Sequence, residues 1–418
     1  MNPVPTQSEA IGADEIATTN PFLGNELGIG ATPRLLGAEV ADRTTVVRFA
    51  AGPARAFHHQ WLRHCCYCAA CGNPADGIRF ATVISFERDV APHSVIPEGS
   101  GLTITWDDGH RSHYGADWLW YHAYDDDGRF RRASWRPSLW RSELADDFPT
   151  VEWSDVEQDT GRMALYERLR DFGIVRVTGV GIEPAMTERL ASIVGPIHET
   201  TVYGRIYDVK AEPVAKLGAK TGMPQAPHID DAFTYSPPGI DVFHCLVNTD
   251  VGGRSTYVDG FAIAEAIADE DPDAYDALTR LPISHVRRHP DEVDFRHRGP
   301  LISLDEFGRP RGIRYFDRAL APLDVEPDDV DRLYDAIRAF NQRMVSAEFV
   351  AELRVAPGDG VFIDNHRVLH GRIGFDPGSG RHIRLCHVPR DEFHARWREL
   401  AHRLTPADHD LHLPQGST

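Results

Sequence analysis

The sequence predicts an α+β protein that is mainly β, a sandwich or barrel of strands buttressed by helices. Short strand-like runs bounded by Gly, Pro and Asp recur along the chain. Apolar residues at helical spacing mark only a few stretches between them. That mixture argues against a doubly wound parallel sheet. With 418 residues the chain exceeds one average domain, so two are expected, and 42% apolar residues suit a sizeable core.

Residues 1–32 are rich in small and polar side chains and read as a mobile arm. Residues 33–125 read as a β-rich domain, with strand-like runs at Val46–Phe49, Arg79–Phe86 and Leu102–Trp106. A stretch rich in Arg, Trp and Asp, 126–149, reads as a linker. The second domain is expected over 150–405. There Met163, Tyr166, Leu169 and Phe172 recur at helical spacing, and Gly173 ends that helix. Ile174–Val177 follows as a strand, and Met186, Leu190, Ile193 and Val194 mark a second helix with Pro184 near its start. Strand-like runs dominate 200–260. Val330, Leu333, Ile337, Phe340 and Met344 form an amphipathic helix, and paired strands flank His370. Residues 406–418 are a tail.

The formal charge of −19 argues against a phosphate-backbone or anionic-membrane partner, so neither nucleic acid nor membrane is expected. No run of 18 apolar residues exists, and Met1–Gly24 lacks the basic and apolar regions of a signal peptide. Four of the 6 cysteines fall between Cys65 and Cys71, which suits a metal rather than a disulfide framework and implies a reducing, cytoplasmic location.

Two distant stretches carry the chemistry: His228-Ile229-Asp230, and His370 within Asn365-His366-Arg367-Val368-Leu369-His370-Gly371-Arg372. Side chains two apart on a strand share a face, so His228 and Asp230 can grip one metal from one side. A second strand brings in His370. Two imidazoles and a carboxylate are the facial triad of Fe(II) oxygenases, with positions left for a cosubstrate and dioxygen. The 140 residues from Asp230 to His370 accommodate the middle strands of a double-stranded β-helix. Arg381 follows His370 by 11 residues, past a turn, and opens the apolar run Ile383–Val388. A guanidinium there suits the distal carboxylate of 2-oxoglutarate. Ser255, after Gly252-Gly253-Arg254, supplies a hydroxyl. Separately, Cys66-x-Cys68-x-x-Cys71 is a zinc pattern, for which spacing alone leaves Cys65 open as a ligand.

With these motifs the chain resembles the γ-butyrobetaine hydroxylase-like branch of the taurine-dioxygenase superfamily, Fe(II)/2-oxoglutarate oxygenases. The matching stretches are Trp61–Cys71, Trp106–His110 to Leu119, Thr201–Gly204, Pro227–Asp230, Gly252–Gly260 and Asn365–Arg372. The resemblance implies a small structural zinc domain, with Cys66, Cys68, Cys71 and His110 as ligands, before a catalytic jelly roll. It implies iron on His228, Asp230 and His370, 2-oxoglutarate on Arg381 and Ser255, O2 as cosubstrate, and a homodimer.

The resemblance also places the residues of an aromatic cage for quaternary ammonium groups at Tyr203, Tyr207, Lys210, Lys220 and His387. Two of the five are aromatic, and Lys210 and Lys220 would repel a fixed cation. With Arg384 nearby, the expectation is hydroxylation of a small anionic or zwitterionic metabolite: a carboxylate, sulfonate or phosphonate. The alternatives are a quaternary-ammonium hydroxylase of γ-butyrobetaine type, a metal enzyme of cupin type that does not use 2-oxoglutarate, and a non-catalytic oxygenase-like scaffold.

Overall fold

The computed structural model describes residues 34–73, 77–132, 135–201, 203–210, 222–248 and 252–404. The arm at 1–32, the tail at 406–418 and Lys220 lie outside the described residues. The chain divides into two compact units between Trp135 and Arg136, and the described residues 401–404 group with the first.

The first unit holds two three-stranded antiparallel sheets. β1 (Leu35–Val40), β2 (Thr44–Phe49) and β3 (Arg55–His58) form one, in that order. After α1 (His59–His64), β4 (Pro92–Glu98), β5 (Gly101–Trp106) and β6 (Arg111–Gly115) form the other, followed by α2 (Ala116–His122) and α3 (Asp126–Arg132). Val47, Phe57, Leu62, Leu102, Ile104, Trp106 and Leu119 make one core cluster, so β2 and β5 run where the sequence puts them. The expected strand at Arg79–Phe86 does not form. Phe80 and Ala81 both donate to the Cys71 carbonyl, which bends the chain around the cysteine loop and leaves Phe80, Val83 and Ile84 exposed.

The second unit is layered. β7 (Thr150–Glu152), α4 (Trp153–Val156), α5 (Asp159–Phe172), β8 (Ile174–Thr178), α6 (Met186–Val194), β9 (Tyr207–Lys210), β10 (Gln225–His228), β11 (Ile240–Val247) and β12 (Ser255–Asp259) come first. Next are α7 (Gly260–Glu270), α8 (Pro272–Arg280), β13 (Pro282–His289), β14 (Val293–Pro300), β15 (Ile302–Leu304), β16 (Pro310–Ile313) and α9 (Val330–Met344). The unit closes with β17 (Ala351–Leu353), β18 (Gly360–Asp364), β19 (Val368–Arg372), β20 (His382–Val388) and α10 (Arg390–Leu404). A six-stranded sheet runs β7-β8-β18-β11-β20-β9 and a four-stranded sheet β10-β19-β12-β17.

One cluster draws on both sheets: Ile174, Cys245, Val361, Ile363 and Ile383 meet Tyr257, Ala351, Leu353 and Val368. Alternate residues of the larger sheet, such as Val175, Val242, Phe362 and Val388, pack outward on α4, α5, α6 and α10. Val258 and Leu369 of the smaller sheet pack outward on α7, α8 and α9. Period-two alternation therefore decides which side chains reach the space between the sheets. The stretch expected as a linker is no free connector. α3 occupies its start, and Trp140, Leu144 and Phe148 are buried in the core between the sheets, where large apolar side chains gain most.

Candidate active site

β10 pairs with β19 through a bulge, Gln225 opposite Arg372 and His228 opposite His370, so three steps on one strand match two on the other. A regular ladder would put Gln225 and His228 on opposite faces; the bulge turns both inward. Gly371 is what lets the bulged strand approach, since a Cβ there would lie 2.5 Å from the Gln225 carbonyl and 2.8 Å from the Pro227 nitrogen. Beyond β10, Ile229 donates to the Tyr315 carbonyl at 2.9 Å and buries its side chain outward, which leaves Asp230 facing inward.

Asp230 Oδ1 lies 3.3 Å from His228 Nε2 and 3.7 Å from His370 Nε2. The His228 Nδ1 sits 3.0 Å from the Ala226 carbonyl, which fixes the ring with Nε2 toward Asp230. Asn365 braces the turn: its Oδ1 accepts from the Asp230 amide at 2.8 Å, and its Nδ2 donates to the Asp230 and Pro238 carbonyls. Burial holds the His370 ring well below its ordinary value, to about 3, so the imidazole is neutral. Burial pushes the Asp230 carboxyl up, but His370 and His228 pull it further down, so it is ionised.

A second buried pair adjoins the triad. His387 Nδ1 meets Asp241 Oδ1 at 2.6 Å, and the other Asp241 oxygen lies 4.0 Å from His370 Nδ1. Burial opposes the His387 charge, but Asp241 wins and lifts it to about 9. Burial, against the pull of His387, raises the Asp241 carboxyl to about 7.

Asp231, next to the triad, holds a left-handed backbone at φ +50. For a residue with a Cβ this costs about 1–2 kcal/mol. The buried Arg314 guanidinium offsets the cost by donating to the carbonyls of Ala232, Thr234 and Tyr235.

Arg381 is buried on the same cavity, beside Arg372 and with Phe375 under both guanidiniums at 5.2 and 5.1 Å. Gly253, in a left-handed turn at φ +68, lets Arg381 pass; a Cβ there would stand 3.3 Å from its Nε. Burial lowers the Arg381 guanidinium, and burial plus the neighbouring Arg381 lower Arg372 to about 10. Among the described residues no carboxylate pairs with Arg381, and its Nε is buried without a hydrogen bond. Ser255 lies on the inner face of β12 on the same side as Tyr257, whose phenol burial raises to about 12.

The cavity holds about 280 Å3 and is lined by the triad, Arg381, Ser255, Tyr203, Tyr207 and His387, among others. Tyr203 and Tyr207 meet edge to face with ring centroids 5.0 Å apart. Two expected contacts are corrected. Tyr207 and Val209 face the cavity, so Lys210, three residues from Tyr207, is exposed on the opposite face. Arg384, three from both Arg381 and His387, likewise faces outward, donating to the Pro184 carbonyl and pairing with Asp208 at 3.2 Å.

In the first unit Cys66, Cys68 and Cys71 follow α1, and His110 sits in the turn from β5 to β6. The His110 Nε2 lies 3.3, 3.6 and 3.5 Å from their sulfurs. Arg63 approaches the Cys71 sulfur at 3.5 Å and pairs with Asp108, whose other oxygen accepts from the His110 amide. Cys65 points away into the apolar cluster, where burial pushes its thiol up to about 12.

Residues 136–387 match the family described as taurine catabolism dioxygenase TauD, TfdA family, and residues 38–120 match the gamma-butyrobetaine hydroxylase-like N-terminal family. The chain belongs to the TauD/TfdA dioxygenase family and is an enzyme that uses Fe(II) and 2-oxoglutarate. It is 35% identical to the gamma-butyrobetaine dioxygenase of Pseudomonas sp. (strain AK-1) over 353 residues, 84% of this chain and 92% of that one. The mitochondrial trimethyllysine dioxygenase of Gallus gallus is 30% identical over 346 residues, 80% of this chain and 81% of its own. The Homo sapiens gamma-butyrobetaine dioxygenase is 28% identical, over 82% of this chain and 91% of its own. Among the described residues no helix is long and apolar enough to cross a membrane.

Proposed function

We propose that His228, Asp230 and His370 hold the Fe(II), that Arg381 and Ser255 hold 2-oxoglutarate, and that the substrate is a small zwitterion. The observation that carries the reading is Arg381, a buried guanidinium with no carboxylate partner among the described residues, on the cavity of the triad. A lone buried cation is costly, and a dicarboxylate removes the cost. The donor set fits the metal: neutral imidazole, an ionised carboxylate, and ring nitrogens aimed at one point. Bound iron, with 2-oxoglutarate and dioxygen, supplies the oxidising power to hydroxylate an unactivated C–H bond, with succinate and CO2 as coproducts. The protein's part is to aim that power. Asn365 and the bulge fix the triad, and Phe243 and Phe316 give the cavity an apolar wall beside it. On the same reading the two facing sheets are the jelly roll, and the first unit is a structural zinc domain.

The substrate reading starts from the Lys210 correction. One of the two ammonium groups that argued against a cation faces away from the cavity. Facing it are Tyr203, Tyr207 and the Asp231 carboxylate, all suited to a cationic group, and the Arg287 guanidinium, suited to an anionic one. The named relatives act on γ-butyrobetaine and trimethyllysine, both of which carry a trimethylammonium group and a carboxylate. Succinate release should therefore be stimulated by such zwitterions and not by phosphonates or sulfonates lacking a cation. The opposite preference would sink the proposal. Lys210→Ala is expected to leave turnover within about twofold, as for other exposed sites; a larger loss would return Lys210 to the site.

Arg381→Ala should raise the 2-oxoglutarate concentration needed for half-maximal rate by about 30-fold or more, since a buried charge pair is worth about 2 kcal/mol or more. An unchanged requirement, read from 2-oxoglutarate titrations, would move the role to Arg372.

A further inference from the structure

A larger cavity of about 910 Å3 lies beside the active-site cavity in the same unit, and Tyr203, Asp231 and Phe233 line both. Asp231 thus stands where the two spaces meet. Its backbone, and not its side chain, fixes it there: Arg314 ties down the carbonyls that follow, and the Asn365 Nδ2 donates to the Asp230 carbonyl just before it. Among the described residues the Asp231 carboxylate has no hydrogen bond and no ion pair; only its carbonyl is engaged, by Thr234. Arg287, on β13, lines the smaller cavity half-buried. Its guanidinium meets the His289 ring at 3.3 Å and has no carboxylate partner among the described residues. Arg287 attracts the Asp231 carboxylate across the cavity, but the two make no direct ion pair. Half-buried charges that touch no opposite charge directly are incompletely satisfied, so each favours a ligand group of opposite sign.

We propose that Asp231 and Arg287 are specificity-determining residues that read the two charges of a zwitterionic substrate: Asp231 receives the cationic group and Arg287 the anionic one. This deepens the zwitterion reading above and rests on it. Aromatic faces such as Tyr203 and Tyr207 accept the shape of a trimethylammonium group and its carbon analogue alike. The carboxylate distinguishes them by charge. With opposite charges at separate points, the substrate is also held in one direction, so that one carbon is presented to the triad.

Three probes test the pair, with affinities measured by calorimetry on metal-loaded, 2-oxoglutarate-bound enzyme kept free of oxygen. They are γ-butyrobetaine, its carbon isostere 5,5-dimethylhexanoate, and butyltrimethylammonium, which lacks the carboxylate. Asp231→Asn is expected to weaken γ-butyrobetaine and butyltrimethylammonium at least tenfold and to leave the isostere unchanged. Arg287→Gln is expected to weaken γ-butyrobetaine and the isostere and to leave butyltrimethylammonium unchanged. Asp231→Glu, which keeps the charge, should retain the preference for γ-butyrobetaine over its isostere. Separate titration with 2-oxoglutarate checks that each variant keeps the cosubstrate site. Equal losses for all three probes, or none, overturn the assignment of the pair. If the unaltered enzyme binds the isostere as tightly as γ-butyrobetaine, the zwitterion reading itself falls.

Discussion

Replacing His228 by Ala is expected to abolish succinate release from 2-oxoglutarate while the chain stays folded. Loss of a residue that merely orients a metal ligand costs about 10–100-fold, and loss of a ligand should exceed that range. The fold should survive because His228 sits at the end of β10, where the bulge has already interrupted the ladder, and its neighbour Ile229 keeps its place in the outer cluster. Iron content, circular dichroism and the succinate assay on one preparation separate the two effects. Full iron-dependent activity in the variant would remove the triad from the account, and a collapsed fold would make His228 structural.

Zinc removal should have a comparably large effect, on stability and not on the chemistry directly. The unit from β1 to α3 has one small core shared by its two sheets, and the cysteine loop and the His110 turn bring the four ligands together beside it. Zinc on such sites is worth about 10–16 kcal/mol in isolated peptides. That equals or exceeds the entire stability of an ordinary domain, about 5–15 kcal/mol. A strong chelator should therefore expose residues 34–132 to proteolysis before the second unit is cut, and Cys68→Ser should do the same without chelator. Metal analysis of protein purified without added metal should find about one zinc per chain. An absence of zinc, or a protease-resistant first unit after its loss, would end the structural role.

The site was legible where chemistry and short-range geometry coincide. His228 and Asp230 are neighbours in any extended chain, the cysteines cluster by themselves, and Arg381 opens a strand. Lys210 and Arg384 were misplaced although the chain itself held the correction. Tyr207 and Lys210 are an odd number of residues apart, as are Arg384 and His387, so a regular strand cannot present both members to one cavity. Asp241 interrupts the apolar run Ile240–Val247, a signal that was available and unused. The roles of Asn365, Arg314 and Asp231 were not legible, because each depends on a loop whose path is set by residues far away in sequence. The same applies to the 126–149 stretch: its charge suggests a connector, and the burial of Trp140 depends on a surface formed elsewhere.

The two metal sites place opposing demands on the cell that makes this enzyme. Divalent zinc binds nitrogen and oxygen donors more tightly than Fe(II) does, in the general order of metal affinities. On the proposed assignment the thiolate-rich site in the first unit takes zinc, and His228, Asp230 and His370 would accept the same ion and become inert with it. On that assignment, enzyme made under zinc excess would be well folded and silent.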